Sequence, residues 1–230
     1  MKNLNSYISY KTTKTLLLTV GFLLFYTFSN AQINLQNGSF EGPTPASGVP
    51  MWQIWWPTPD TQPGAFCVSL TPYDGNSYLG FAYNGISESI GQLLLSPIVK
   101  DQVYKFSLAL AKSNSTVPNC GGITPGPCAF LIWGAKTVGG RSELLWQSDT
   151  IDHAYWVEYQ GSFIADSNYA YIRLECLYLT PAPQGIYLLV DKLSNLYEVH
   201  PEIWYTSTET ELGCTSTLTG KTDSIDSYRN

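Results

Sequence analysis

Short runs in which apolar and polar residues alternate fill the middle of this chain. The clearest extends from Val103 to Ala111, and two others extend from Trp156 to Phe163 and from Tyr169 to Cys176. Alternation with a period of two places successive side chains on opposite faces of a β-strand. Each run therefore predicts a strand with one buried face.

The larger apolar residues indicate which face of each strand is buried. In the third run, this assignment leaves Tyr169, Tyr171, Arg173 and Glu175 on the face opposite the core. The residues predicted to point into the core are Tyr104, Phe106, Leu108, Leu110, Val157, Tyr159, Phe163, Ala170, Ile172, Leu174 and Cys176. We expect the core to be built from these aromatic and aliphatic side chains.

Further strands are predicted by short apolar segments bounded by turn residues, whereas no long stretch has the 3.6-residue period of a helix. They are Gln32–Leu35, Ala65–Leu70, Ser77–Tyr83, Glu88–Leu95, Cys128–Trp133, Glu143–Gln147 and Gly185–Tyr197. Proline and glycine predict loops at 42–64, 112–127 and 179–184. About ten short strands are typical of an all-β fold, a two-sheet antiparallel β-sandwich of the jelly-roll type.

The first 31 residues are predicted to be a signal peptide (residues 1–31). Lys2, Lys11 and Lys14 precede an apolar run from Leu16 to Phe28, and Ser29-Asn30-Ala31 fits a cleavage site before Gln32. The apolar run is short for a bilayer span, although an uncleaved membrane anchor is the alternative. We therefore expect a secreted or cell-surface protein, with no membrane insertion once the leader is removed.

The charge of the mature chain limits its partners. Without the three leader lysines, 9 basic side chains face 18 acidic ones, for a net charge of −9. Nucleic acids and anionic membranes are bound by basic surfaces, so neither is an expected partner. Residues 32–199 suffice for one domain, and residues 200–230, rich in Ser and Thr, are predicted to be a linker, a tail or the truncated start of a further domain.

Five cysteines follow the leader, and an exported protein can form disulfides. Cys120 and Cys128 flank a Gly/Pro-rich loop and are predicted to pair locally. Cys67 with Cys176 is a second predicted pair, which leaves Cys214 unpaired.

Two groups of residues could bind a sugar, with aromatic rings that stack on its apolar face and a polar side chain that assists. One group lies in and near the long first loop: Trp52, Trp55, Trp56, Tyr83 and Asn84. The other is predicted on a sheet face: Trp156, Tyr169, Tyr171 and Arg173. The alternative for such residues is structural, and we expect at least one of the three loop tryptophans to be buried. Trp133 and Trp146 are predicted to pack in the core or on a sheet.

The two ends of the predicted domain each place a carboxylate at the edge of an apolar strand. Glu41 follows the first strand and Asp191 lies in the last one. First and last strands of an antiparallel sandwich often lie side by side, so the two carboxylates could converge with loop carbonyls. Hard oxygen ligands of this kind bind calcium.

Four segments in order carry a resemblance to a known family. They are Asn37–Glu41, Asp74–Gly80, Val103–Ser107 and Val190–Ser194. Together they resemble the galactose-binding-like jelly-roll domains, and most of all the carbohydrate-binding modules in secreted surface proteins of gliding bacteria. The resemblance covers roughly residues 33–199 and implies a glycan-binding β-sandwich.

The resemblance also implies a structural calcium ion. Carried over by position, its ligands would be the side chains of Glu41, Asp74 and Asp191 with carbonyl oxygens near Ser39 and Asn76. The family often has two consecutive acids where this chain has Val190-Asp191, so one carboxylate is missing. The alternative is that Asp74 forms an Asx-turn and Asp191 pairs with Lys192.

The common catalytic signatures are missing from the sequence. It contains no Gly-x-Ser-x-Gly, no His-Glu-x-x-His and no Gly-rich phosphate-binding loop. Of the two histidines, His153 is expected in a solvated turn and His200 at the tail junction. A glycosidase needs two facing carboxylates, for which Glu158 and Glu175 on neighbouring strands are the candidates.

The sequence therefore predicts a non-catalytic module that binds a poly- or oligosaccharide by aromatic stacking, with a structural calcium ion. One alternative is a structural or protein-interaction domain of a cell-surface adhesin, whose partners would be cell-surface proteins. The second is a glycoside hydrolase with an unrecognised carboxylate pair.

Overall fold

The computed structural model describes residues 32–83, 86–115, 126–179 and 186–199, and two further strands at 204–208 and 217–221. The predicted leader, Asn84, Cys120, His200 and Cys214 lie outside the described residues. In the part that is described, no helix has the length and apolarity needed to cross a membrane.

Fifteen strands and one short 3-10 helix, Ala65–Cys67, make up the described chain. In chain order the strands are β1 (Gln32–Ile33), β2 (Ala46–Ser47), β3 (Gln53–Trp56), β4 (Asp60–Gln62), β5 (Tyr78–Tyr83), β6 (Ser89–Ile98), β7 (Val103–Lys112), β8 (Cys128–Ala135), β9 (Glu143–Gln147), β10 (Val157–Ile164), β11 (Tyr169–Tyr178), β12 (Ile186–Asp191), β13 (Leu196–Val199), β14 (Trp204–Thr208) and β15 (Thr217–Lys221).

The strands form two antiparallel sheets that face each other across the core. The larger sheet has the order β1-β13-β7-β12-β5-β4-β2, and β10 pairs with the other edge of β7. The smaller sheet has the order β3-β6-β11-β8-β9, and β14 and β15 form a separate antiparallel pair. The predicted all-β sandwich is confirmed.

One apolar core joins the two sheets, because alternate residues of both contribute to it. Phe106, Leu108 and Leu110 of β7 meet Phe130 and Ile132 of β8 in this core. Every aromatic residue that was predicted to point inward from the strands at 103–111 and 156–163 lies in this core or packs against it.

Three predicted segments differ from the structure. The strand predicted at Gly185–Tyr197 is two strands, β12 and β13, separated by residues 192–195. Ala65–Leu70 is not a strand, because its first three residues form the 3-10 helix and Gly64 enters it at φ +119°. The loop predicted at 42–64 contains three short strands, β2 to β4, which extend both sheets at their edges. Trp55 is therefore a strand residue, held in the five-stranded sheet by pairing of β3 with β6.

Tyr169 does not lie on the outer face of β11 as predicted. The pairing of β11 with β6 shifts in register between Tyr169 and Tyr171, as at a β-bulge. Beyond this irregularity the alternation of faces is not kept, and Tyr169 is buried in the core and packs over Gly134. The correction leaves Tyr171 and Arg173 on the outer face.

Both predicted disulfide pairings, Cys120–Cys128 and Cys67–Cys176, are wrong. Cys128 and Cys176 are free thiols, and both are buried in the core on the neighbouring strands β8 and β11. Burial raises the pKa of both thiols, so they remain protonated at neutral pH. They act as small apolar core residues rather than as cross-links.

Candidate functional site

Strand register places a row of residues across the outer face of the five-stranded sheet. Gln53 pairs with Gly91, Gly91 pairs with Arg173, and Arg173 pairs with Trp133. Directly paired residues of neighbouring strands point to the same face. Four strands thus contribute residues to one continuous surface of the five-stranded sheet, here named sheet B, and we call this surface the sheet-B face.

Trp55 lies over this row because position 91 is a glycine. A Cβ atom at Gly91 would lie 2.2 Å from the Trp55 ring, so only glycine leaves room for the indole. The Trp55 ring meets Tyr171 edge-on with 6.0 Å between centroids, and the Arg173 guanidinium lies 6.0 Å from the Trp55 centroid. Two groups that the sequence keeps far apart, the loop aromatics and the sheet-face residues, meet here.

A network of charged side chains holds Arg173 in place. Its Nε donates to Glu175 over 3.2 Å and its Nη1 donates to the Gly139 carbonyl over 2.7 Å. Arg141, on the loop after β8, also donates to Glu175 through Nε and Nη2. Arg173 is only 6% exposed, and this burial lowers the pKa of its guanidinium. The network fixes the orientation of Arg173 beside Trp55.

Trp133 adds a polar group that the described chain does not use. Its indole N–H is buried and finds no hydrogen-bond partner within the described residues. Buried donors are nearly always paired, so an orphan donor next to Arg173 marks this face as unusual. Trp133 was predicted to pack in the core or on a sheet. It lies an odd number of positions from Phe130 and Ile132, which face the core, so its side chain is on the outer face of the sheet.

The remaining loop aromatics lie elsewhere. Trp52 is buried against Phe40, and its Nε1 donates to the Asn37 carbonyl over 3.0 Å. The expectation that one of the three loop tryptophans is buried is confirmed. Trp56 is 63% exposed. Tyr83 ends β5, and its side chain, like Asn84, is outside the described part.

Trp156 belongs to the other sheet and does not reach the sheet-B face. It precedes β10, meets Tyr78 edge-on at 5.1 Å between centroids, and donates from Nε1 to the Thr71 carbonyl over 2.8 Å. With Tyr73 it forms a separate, partly buried aromatic group. Trp156 thus anchors the loop that precedes β5 rather than joining Tyr171 and Arg173.

The five predicted metal residues come together around one loop. Glu41 accepts the main-chain N–H of Asn76 over 2.9 Å, and Asp191 accepts those of Tyr73 and Asp74, each over 2.9 Å. Glu41 and Asp191 therefore hold the loop 73–77 from two sides, and we call this arrangement the carboxylate clamp. A Cβ at Gly75, where φ is +63°, would lie 1.8 Å from Glu41 Oε1, so the clamp requires glycine there.

Asp74 and Ser39 complete the clamp. The Ser39 hydroxyl donates to Asp74 Oδ2 over 2.9 Å, and Lys192 Nζ lies 4.0 Å from Asp74 Oδ1. Asp191 is fully buried, which raises the pKa of its carboxyl to about 7. The oxygen atoms of these side chains are the hard ligands that calcium prefers. Within the described residues, however, no group of three or more His, Cys, Asp or Glu is placed to hold a metal.

A polar cluster that the sequence analysis missed lies beside β5. Tyr187 donates its hydroxyl to Asp60 over 3.0 Å, Gln62 donates to Tyr187, and Glu88 accepts the Ala82 N–H over 2.6 Å. Burial raises the pKa of Asp60, and it raises the pKa of Glu88 to about 8. No local sequence pattern joins these residues, because they come from four separate segments.

The suggested catalytic pair, Glu158 and Glu175, is wrong. Glu158 lies on β10 of the larger sheet and Glu175 on β11 of the smaller one, so they do not lie on neighbouring strands. Glu158 accepts a hydrogen bond from the Tyr73 hydroxyl. Glu175 is held by two arginines.

Solved structures share this fold. A Stig cyclase, Fisc from Fischerella sp. TAU, matches at TM-score 0.51 and 14% identity, over 74% of this chain and 98% of that chain. The arabinose-bound α-L-arabinofuranosidase MgGH51 matches at TM-score 0.51 and 14% identity, over 74% of this chain and 26% of that chain. The C-terminal family 22 carbohydrate-binding module of Clostridium thermocellum Xyn10B is more distant, with TM-score 0.42, 13% identity, and 74% and 97% coverage.

The likenesses to the cyclase and the glycosidase show the β-sandwich fold alone, because a shared fold can carry unrelated functions. Structures similar to this chain thus include a cyclase, a glycosidase and a carbohydrate-binding module. No protein-family model and no curated protein matches the sequence.

Proposed function

We propose that this chain is an exported, non-catalytic glycan-binding module whose binding surface is the sheet-B face. A sugar ring would stack on Trp55 and Tyr171, while Arg173 and Gln53 would hydrogen-bond to its hydroxyl groups. Binding would require no bond cleavage. Secretion follows from the predicted leader and remains part of the proposal.

The meeting of Trp55, Tyr171 and Arg173 on one outer sheet face carries this proposal. Sugar recognition needs rigid aromatic rings with a few polar groups at fixed positions. Trp55 is held over Gly91, and Arg173 is held by Glu175 and the Gly139 carbonyl. Most of the polar groups are thereby oriented before a ligand arrives, which lowers the entropic cost of binding.

Removing the Trp55 ring should strongly weaken binding at this surface. We expect Trp55→Ala to weaken the affinity for any bound polysaccharide at least tenfold, which is about 1.4 kcal/mol. A glycan-array screen of the full chain, followed by calorimetric titration of each hit, measures the effect. Gly91→Ala should act similarly, because the added methyl group displaces the ring without deleting it.

Trp56→Ala is the matched control, because Trp56 adjoins Trp55 in β3 whereas the described ring contacts with Tyr171 and Arg173 are made by Trp55. It should bind like the unmodified chain. Equal losses in both variants would contradict the assigned surface. If the folded protein bound no glycan on the array, the function would move to that of an adhesin or protein-interaction domain. Leu93, which is exposed beside Tyr171 on the sheet-B face, would then belong to a protein interface.

We further propose that calcium stabilises the carboxylate clamp. Glu41, Asp74 and Asp191 place three carboxylates around one loop, while Lys192 is the cation nearest to Asp74. A bound calcium ion would balance this negative charge, with main-chain carbonyl oxygens as additional ligands.

A chelator should therefore lower the melting temperature of the protein. A ligand that binds only the folded state stabilises it by an amount that grows with its concentration, so a rise of several degrees on adding calcium is expected. Differential scanning calorimetry in EDTA and in millimolar calcium gives the comparison, with magnesium as the control ion. Identical melting curves in all three would contradict the proposal and leave the hydrogen bonds as the sole clamp.

A further inference from the structure

We infer that the sheet-B face recognises an acidic glycan, in which a uronic acid ring stacks on Trp55 and its carboxylate pairs with Arg173 and Arg141. This inference rests on the proposed glycan-binding function and adds the substrate class.

The five strands of this sheet contain three charged residues, namely Glu143, Arg173 and Glu175. Glu143 is directed away from the row, because it accepts hydrogen bonds from the Asp166 N–H and the Tyr169 hydroxyl. Arg173 and Glu175 are therefore the charges that the sheet itself places on its outer face.

The loop after β8 adds a second cation to this pair. Arg141 reaches Glu175, so two guanidinium groups share one buried carboxylate. The local sum is one excess positive charge, in a protein whose overall charge is −6. The local positive charge favours an anionic ligand at this site and distinguishes it from the acidic remainder of the protein.

The arrangement of donors also fits a carboxylate. Arg173 uses Nε and Nη1 within the protein, and Arg141 uses Nε and Nη2. The described contacts leave Nη2 of Arg173 and Nη1 of Arg141 to a ligand. Guanidinium groups bind carboxylates more strongly than neutral hydroxyls, because the hydrogen bonds are charge-assisted.

The aromatic ring and the cation lie close enough for one sugar residue to reach both. The Arg173 guanidinium lies 6.0 Å from the centroid of the Trp55 ring. Because this guanidinium lies over one face of the Trp55 ring, a pyranose ring would stack on the opposite face, with a substituent reaching past the edge of the indole towards Arg141 and Nη2 of Arg173. A uronic acid carries a carboxylate as such a substituent, whereas a neutral hexose carries a hydroxymethyl group.

A matched pair of polysaccharides tests the inference. Polygalacturonate and its methyl ester share one backbone and differ in the charge of the carboxyl group. We expect the full chain to bind polygalacturonate at least tenfold more tightly than the methyl ester, by calorimetric titration. Raising sodium chloride from 50 to 500 mM should weaken binding to the acid form several-fold and leave the ester form nearly unchanged.

Arg141→Gln is the informative variant, because the Arg141 side chain is 48% exposed and its loss leaves Arg173 to pair with Glu175. It should weaken binding of the acid form about fivefold and weaken binding of the ester form much less. Lys136→Gln, on the same loop, is the control for a general loss of charge and should leave both affinities unchanged. Melting curves of each variant check that it is folded.

The outcomes separate this inference from the proposed function. Equal affinity for acid and ester, or binding of neutral glycans only, would overturn the acidic class while the glycan-binding function stands. Binding of sulfated but not uronate polysaccharides would overturn the carboxylate assignment. Binding of no glycan at all would overturn both proposals.

Discussion

Replacing Asp191 with alanine should lower the free energy of unfolding by roughly 3–5 kcal/mol. Asp191 is fully buried, and its carboxylate accepts main-chain N–H groups from Tyr73, Asp74 and Lys192. The variant leaves these donors without their partner and releases the loop 73–77 from β12. Equilibrium unfolding in urea, followed by tryptophan fluorescence, measures the loss.

The other half of the clamp should matter less. Glu41→Ala leaves donors of the same loop unpaired, but Asn76 is exposed and water can replace the lost partner. A loss of about 1–2 kcal/mol is expected. Asp149→Ala, at an exposed site between strands β9 and β10, is the control and should change stability by less than about 0.5 kcal/mol. A loss at Asp191 no greater than that at Asp149 would refute the structural role of the clamp.

The clamp shows which long-range features a sequence can reveal. Glu41 and Asp191 are 150 positions apart, yet the sequence brings them to one junction because both lie at strand edges near the two ends of the domain. In the structure β1 pairs with β13, and Gly38 accepts the Leu193 N–H. The sequence could not predict that main-chain N–H groups of the loop 73–77 donate hydrogen bonds to these carboxylates, since the loop conformation depends on Gly75 at positive φ.

Strand faces were predictable where the alternation is unbroken. Along β7, the aromatic and leucine positions all point into the core as the period of two requires. The prediction fails at Tyr169, because the regular pairing of β11 with β6 is interrupted between Tyr169 and Tyr171 and nothing in the local sequence marks that bulge. The assignment of Tyr171 and Arg173 survives because they lie on the regular side of the bulge.

The sheet-B face could be predicted only in its parts. Trp55 and Tyr171 are both candidates from the sequence, but their meeting depends on the strand order β3-β6-β11, in which each pair is distant in the chain. Strand order reflects the global packing of the sandwich rather than local preference. Arg141 carried no signal, because an arginine in a Gly-rich loop normally lies in solvent.

The buried carboxyl group of Glu88 should make the stability of this protein depend on pH. Glu88 accepts the Ala82 N–H, and its burial, together with the charge of Asp60, raises its pKa to about 8. An unfolded glutamate has a pKa near 4.3. Folding therefore favours the protonated form of Glu88 throughout the interval between these two values.

The sign of the effect follows from this difference. The contribution of protonated Glu88 to stability is complete below about pH 4 and is lost as the pH rises to 8, because the unfolded state releases its proton in this interval while the folded state keeps it. Glu88→Gln keeps the hydrogen bond to Ala82 without a titrating proton. Relative to the unmodified chain, this variant should gain about 5 kcal/mol of stability between pH 4 and pH 9.

Urea unfolding of both proteins at pH 4, 6, 7.5 and 9 tests this expectation. The titrating groups facing Glu88 are Asp60, Tyr187 and Cys176. Tyr187 and Cys176 stay protonated over this range, because burial raises the pKa of both. Asp60→Asn therefore tests the coupling between the two carboxyl groups. Because one like charge is gone, the stability gained by Glu88→Gln should stop increasing at a lower pH in this background. Parallel pH profiles for Glu88→Gln and the unmodified chain would contradict the raised pKa and place Glu88 in contact with water.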